Sequence, residues 1–287
     1  MMQTQNRHPA APKSMLGRGF NPADLLGRKG RILAIALGFF AILLLYTPIL
    51  GLLLLSFSTQ PLAGIPWPLT TEWYHALTIG EGARWMGPMV TSLILAVSVS
   101  IGATLIALLI GRAVPRLKHR FGLLFVFISA VVLPGILIGF SFLLFYRGIF
   151  GIRAGFWSVY LAHLVWALPF ALLCVLIVAF RFDHRLLEAG KDLGASAYRR
   201  FIDIELPLMM PGVSASLFFS FLLSFNELPR TLYARGSVVT LPYYLWTSAA
   251  SHSSQVALVY ALSAVITLAS FVLTLIAMRI LTRAERK

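Results

Sequence analysis

Asn226 and Glu227 are the side chains of this chain best suited to meet a solute, because they close a long apolar run. A carboxylate beside hydrocarbon is expensive, so such a group lines a path or finds a partner. Glu227 is the one acid near the outer end of the last four apolar runs, and Arg230, three positions on, is its alternative partner. His163 and Trp166 are also three apart and share a helix face inside another run; that suits ordinary packing as well as a pore lining. Trp157, Tyr243, Tyr244 and Trp246 fit a membrane interface better than an ammonium cage, although aromatic faces do attract such cations.

Other chemistry is excluded. No Gly-x4-Gly-Lys-Ser/Thr phosphate loop occurs, nor His-Glu-x-x-His, nor Gly-x-Ser-x-Gly. The six histidines are dispersed and Cys174 has no second cysteine, so neither a metal site nor a disulfide is expected. The chain therefore cannot by itself bind ATP in the usual way, and no cofactor is expected in it.

The elements that position these groups are apolar helices. With 59% apolar and 12% charged residues, the chain reads as an all-α integral membrane protein. Its net charge of +14 is scattered among apolar runs rather than gathered on one soluble face, which argues against nucleic acid as a partner and leaves membrane lipids. Six segments are long enough to cross ~30 Å of hydrocarbon: Ile32 to Leu55, Pro88 to Gly111, Phe121 to Tyr146, Phe156 to Phe180, Leu208 to about Phe225, and Gln255 to Ile280. Thr47-Pro48 with Gly51 predicts a kink in the first, and Leu133-Pro134-Gly135 a break in the third. Between the first two, a stretch with Trp67, Trp73, Tyr74 and Trp85 predicts turns and a short helix at the headgroups. It is suited to interfacial anchoring or to receiving a delivery protein.

Lys and Arg divide nineteen to five between the two sides of this arrangement, the five being Arg84, Arg147, Arg153, Arg230 and Arg235. By the positive-inside rule both termini lie in the cytoplasm. Residues 1–31 are expected to be a disordered basic tail, 32–281 the six-helix domain and 282–287 a short cytoplasmic tail.

One long polar segment, 181–207, interrupts this pattern between the fourth and fifth spans on the cytoplasmic side. Five of the ten acids (Asp183, Glu188, Asp192, Asp203 and Glu205) alternate there with five basic residues. The pattern predicts two short helices broken at Gly194, with Ser196 capping the second and Leu206-Pro207 ending it. Glu188 is expected to orient the loop through Arg185 or through a group on a partner.

The spacing Glu188-Ala189-Gly190, then Gly194, then Ile204 and Leu206-Pro207 resembles the signature loop of ABC importer permeases, with Gly190 in place of the usual second alanine. Leu222 to Glu227, Thr240-Leu241-Pro242 and Ala261-Leu262-Ser263 extend the likeness, which is to the second permease of bacterial spermidine/putrescine importers. Where those often carry two acids, this chain has Asn226-Glu227. The resemblance implies a type I ABC importer permease fold of six transmembrane helices with a cytoplasmic coupling helix, in a bacterial inner membrane. It also implies an ABC ATPase dimer, a second, homologous permease subunit, and a periplasmic or lipid-anchored substrate-binding protein. Glu188, Ala189, Gly190, Asp192, Gly194, Ala195, Ile204, Leu206 and Pro207 would couple to the ATPase, while Asn226, Glu227, His163 and Trp166 would line the path of a polyamine or a related opine, aminophosphonate or amino acid. An ion-coupled secondary carrier is the rival; it would need inverted repeats and several midplane acids, and neither is found.

The topology predicts that a cysteine at Ala197 reacts with impermeant thiol reagents from the cytoplasmic side only, and one at Ser237 from the outside only. Opposite labelling at either position would overturn the six-span arrangement.

Overall fold

A computed structural model describes residues 28–118, 120–251 and 253–284. Most of the predicted basic tail, and the last three residues of the chain, lie outside them. Residues up to Leu52 make one compact unit and the chain from Leu53 another.

The described part of the first unit is residues 28–52 of α1 (Arg28–Leu55), a helix that continues through Pro48. The hydroxyl of Thr47 donates to the carbonyl of Leu43 at 2.6 Å. Side chains from Ile32 to Leu50 are exposed on every face, as expected for a helix that is apolar all round and meets lipid or another chain.

In the second unit, a hairpin of β1 (Ser58–Gln60) and β2 (Ile65–Leu69) precedes α2 (Glu72–Ala76). The strands are antiparallel, Ser58 facing Leu69 and Gln60 facing Ile65. Two of the aromatic residues expected at headgroups are tied into this segment instead: Trp73 Nε1 donates to Ser58 O at 2.8 Å and Trp85 Nε1 to Leu77 O at 3.0 Å. Trp67 remains exposed.

The core is a bundle of α3 (Met86–Ala113), α6 (Phe156–Ala179) and α9 (Leu206–Phe225). On α3 the buried positions Ser92, Leu95, Ala96, Val99, Ser100, Ala103, Thr104, Ala107, Leu108 and Gly111 repeat at three and four, the spacing of one helix face. Most are small, so backbones come close; a Cβ on Gly212 of α9 would lie 3.0 Å from Cys174 O and 3.0 Å from Val178 Cγ2 of α6. Thr104 and Ser216 satisfy one another across α3 and α9 at 2.8 Å.

Between α3 and α6 lie α4 (Arg120–Val132) and α5 (Gly135–Leu143), the two arms of the predicted broken span. Their angle is 93°, far beyond a proline kink. At 13 residues α4 is about 20 Å long, too short to cross ~30 Å of hydrocarbon alone. After α6 come α7 (Arg185–Asp192) and α8 (Ala197–Arg199); after α9, α10 (Thr231–Ala234), α11 (Leu241–Ser251) and α12 (Ser253–Ala284). Among the described residues five helices are long and apolar enough to span a bilayer, six where the bent pair counts as one span.

The predicted stop at Leu206-Pro207 does not occur. Residues 200–205 form a wide π turn that runs directly into α9, and Pro207 sits in the first turn of that helix. Proline is compatible with a first turn because its missing N–H has no intrahelical acceptor there.

The close approach at Gly212 predicts that Gly212→Leu forces α6 and α9 apart, at a cost of about 1–3 kcal/mol. Thermal unfolding in detergent should show a lower midpoint; a variant as stable as the parent would show that the helices do not pack this tightly.

Candidate functional site

Two polar clusters stand at opposite ends of α9. The first is the loop 181–207. Arg185 N donates to Asp183 Oδ1 at 3.0 Å as α7 begins. The helix ends in a pair of reverse bonds, Ala195 N to Gly190 O and Gly194 N to Lys191 O, both 2.9 Å. Gly194 has φ +81°, the left-handed conformation this closure requires and side-chain-bearing residues avoid. Ser196 then caps α8, its hydroxyl accepting from Arg199 N at 3.3 Å. The break at Gly194 and the Ser196 cap are as the sequence predicts.

The departure at Gly190 has a packing reason. Gly190 is buried, and a Cβ there would lie 2.9 Å from Ile204 Cδ1 and 3.4 Å from Arg200 Cγ. The glycine lets α7 lie close to the segment leading into α9. Arg200 Nη1 fastens the contact by donating to Leu187 O at 3.3 Å.

Glu205, not Glu188, is the loop's structural carboxylate. It is buried and takes a two-pronged pair from Arg112 at the end of α3: Nε to Oε1 at 2.7 Å and Nη2 to Oε2 at 2.8 Å. The same guanidinium lies 4.3 Å from the centre of the Phe201 ring. Ninety-three positions separate the partners, so no local spacing announces them. The side chain of Glu188, by contrast, makes no hydrogen bond or ion pair among the described residues, so the expected pairing with Arg185 is not formed. It lines a cavity of about 300 Å³ with Arg112, His184, Leu187, Arg200 and Phe201. Asp192 and Ala189 are exposed, and Ala195 and Leu206 half-buried. Leu193, 88% exposed, and Tyr198, 74% exposed, flank the Gly194 turn as two bare apolar side chains. The sequence reading passed over both, although a leucine and a tyrosine among charges is the available signal.

The second cluster brings together three of the four residues expected along a solute path. His163 is fully buried on α6, with Nδ1 2.9 Å from Ser224 Oγ and Nε2 2.8 Å from Thr231 Oγ1. Thr231 Oγ1 donates to Glu227 O at 2.9 Å. That hydroxyl proton is thereby used, so Nε2–H donates to Thr231 while Nδ1 accepts from Ser224; this tautomer is assigned from the network. Arg230 reaches Glu227 through Nη1, 3.0 Å from Oε1 and 3.1 Å from Oε2, and through its backbone N at 2.9 Å. Its guanidinium stacks 4.0 Å from the centre of the Trp166 ring. Glu227 and Arg230 are both buried, and the ion pair is one of the two partners the sequence left open. Asn226 stands apart, exposed, with Nδ2 donating to Leu222 O at 3.0 Å. Arg235 stacks in turn on Tyr243, 3.8 Å from the ring centre.

The Arg112–Glu205 geometry generates an asymmetric prediction. Arg112→Ala strands a buried carboxylate, which costs about 3 kcal/mol or more. Glu205→Gln leaves the guanidinium, whose side chain is 35% exposed, able to turn to water, and costs about 1 kcal/mol. Thermal unfolding of both variants should therefore show the larger loss for Arg112→Ala. Equal or reversed losses would reject the pair as the anchor of the loop.

Comparison with known proteins places these features in a family. Residues 103–287 match the family described as binding-protein-dependent transport system inner membrane component. The chain is 35% identical over 210 residues to the spermidine/putrescine transport system permease protein PotC of Escherichia coli (strain K12), covering 71% of this chain and 77% of that one. The protein of the same name from Haemophilus influenzae is 30% identical over 202 residues, 67% and 74% of the two chains. The putrescine transport system permease protein PotI of Escherichia coli (strain K12) is 25% identical over 231 residues, 76% and 79% of the two. With its helices, its signature loop and this match over more than half its length, the chain belongs to the family of binding-protein-dependent transport system inner membrane components.

Proposed function

We infer that this chain is the transmembrane permease subunit of an ATP-driven importer, and that its solute is a polyamine of the spermidine/putrescine class. The observation that carries the reading is the 35% identity to a permease named for those solutes, over 77% of that permease's length. A separate ATPase dimer supplies the energy and holds ATP and magnesium, a second permease subunit completes the pore, and a binding protein delivers the solute. The loop 181–207 lies on the cytoplasmic side with both termini. There Leu193 and Tyr198 offer apolar contacts to the ATPase, and Glu188, whose carboxylate has no partner among the described residues, offers a charged one.

Transport in this reading is alternating access. The loaded binding protein docks outside and ATP closes the ATPase dimer. The loop carries that movement into α9, and the pore opens outward until hydrolysis resets it. Asn226, Glu227 and Trp166 belong to the solute's path; His163, enclosed between α6, α9 and α10, acts on that path by holding Ser224 and Thr231 in place.

Reconstituting the chain with its ATPase, second permease and binding protein in liposomes tests the reading. ATP-dependent accumulation of labelled putrescine or spermidine is expected, and a complex that hydrolyses ATP yet imports neither would reject the solute class. Gly194→Val tests the loop. The turn at φ +81° costs a side-chain-bearing residue roughly 1–2 kcal/mol, and a β-branched one more, so Val should distort the closure. An assembled Gly194→Val complex should lose at least tenfold in uptake and in the rise of ATP hydrolysis caused by loaded binding protein. Wild-type stimulation would remove Gly194 from the coupling path.

A further inference from the structure

Arg230 is held in an unusual way for a buried arginine. It is 4% exposed, yet a single nitrogen, Nη1, contacts both oxygens of Glu227. Its Nε is buried and has no hydrogen-bond partner among the described residues. The fork geometry that distinguishes arginine from other cations is therefore unused here. What holds the cation is a carboxylate and the face of Trp166 at 4.0 Å, and these two groups would receive an alkylammonium equally well.

The surroundings leave room for the cation. Gly135, at the start of α5, has no Cβ; one placed there would lie 2.7 Å from Arg230 Nη1. Glu227 is 6% exposed and Trp166 is half-buried, while Asn226 and Pro229, the chain neighbours of Glu227 and Arg230, are exposed.

We propose that the Glu227 carboxylate and the Trp166 indole form an organic-cation site for the amine end of the solute, and that Arg230 is its built-in occupant, replaced when an ammonium arrives. The proposal rests on the polyamine reading for its solute, while the site itself stands on the geometry alone. Exchange of one cation for another never leaves the buried carboxylate bare, which is the costly state. The unpaired Nε means that Arg230 gives up fewer bonds on leaving than a fully satisfied arginine would. A neutral or anionic solute has no means of making the exchange, so Arg230 also acts as a selectivity element.

The test uses the purified transporter carrying Arg230→Ala, unfolded thermally with ethylammonium, methylguanidinium or putrescine, and with sodium chloride at matched ionic strength. The variant should melt below wild type. The organic cations should restore at least half of the loss in a saturable way, and Glu227→Gln added to Arg230→Ala should abolish the rescue. No rescue beyond that of sodium chloride, or the same rescue in the double variant, overturns the site. Rescue by ethylammonium but not by putrescine keeps the site and counts against the polyamine reading; wild-type uptake of putrescine without any rescue does the reverse. Should Arg230→Ala fail to assemble, Arg230→Lys is measured the same way. Its ammonium covers less of the indole than a guanidinium, so putrescine should stabilise it more than it stabilises wild type, and an equal response overturns the proposal.

Discussion

The close approach of α3, α6 and α9 is the constraint on which the rest of the structure depends. In a bilayer no hydrophobic force drives helices together, because lipid is as apolar as they are; contact between backbones and a few polar pairs must do it. Small side chains provide the first: the alanines and serines of α3, Ala167 and Ala171 of α6, and Gly212 of α9. The Thr104–Ser216 pair provides the second, inside the core. With three helices packed this tightly, the peripheral elements need only light attachment, and α4 fully buries none of its side chains, resting Leu123, Leu124 and Phe127 half-buried on the core.

Both ends of α9 are held by polar contacts, in different ways. At its start, Glu205 is gripped by Arg112 of α3 through two short bonds, a geometry that fixes direction as well as distance. At its far end, Ser224 is held to α6 through His163, and Glu227 to Arg230. The second grip is looser, using one guanidinium nitrogen and leaving another unpaired. The two ends of the same helix thus differ in how readily they let go.

Much of this architecture was legible in the sequence, and the failures share a cause. The ends of α6 and the break at Leu133-Pro134-Gly135 could be read because long apolar windows and a Pro-Gly pair are local signals. The 93° angle at that break could not, since it is set by what α5 packs against, including α10. The hairpin of β1 and β2 was missed because Pro61, Pro66 and Pro68 within a few residues read as turns. The stop expected at Leu206-Pro207 failed because proline's effect depends on its position in a helix, and the π turn before it moved Pro207 into the first turn. In the functional regions, Gly194 and Ser196 were legible as turn and cap chemistry. The partners of Glu205 and His163 were not, as they come from helices 61 to 93 positions away in sequence.

The mechanical consequence lies in α9 itself. The π turn at residues 200–205 and Pro211 both weaken the regular hydrogen-bond ladder near its start, so a push on the loop has a compliant segment through which to be lost. Two contacts oppose that loss. The Arg112–Glu205 pair ties the compliant turn to α3, and the close approach of Gly212 to Cys174 O holds the helix against α6 just beyond Pro211. A displacement of the loop is therefore delivered to the three-helix core as a whole rather than absorbed in one helix. On the reading proposed above, such a displacement reaches the far end of α9 where Arg230 is least firmly bonded, so that end would yield first.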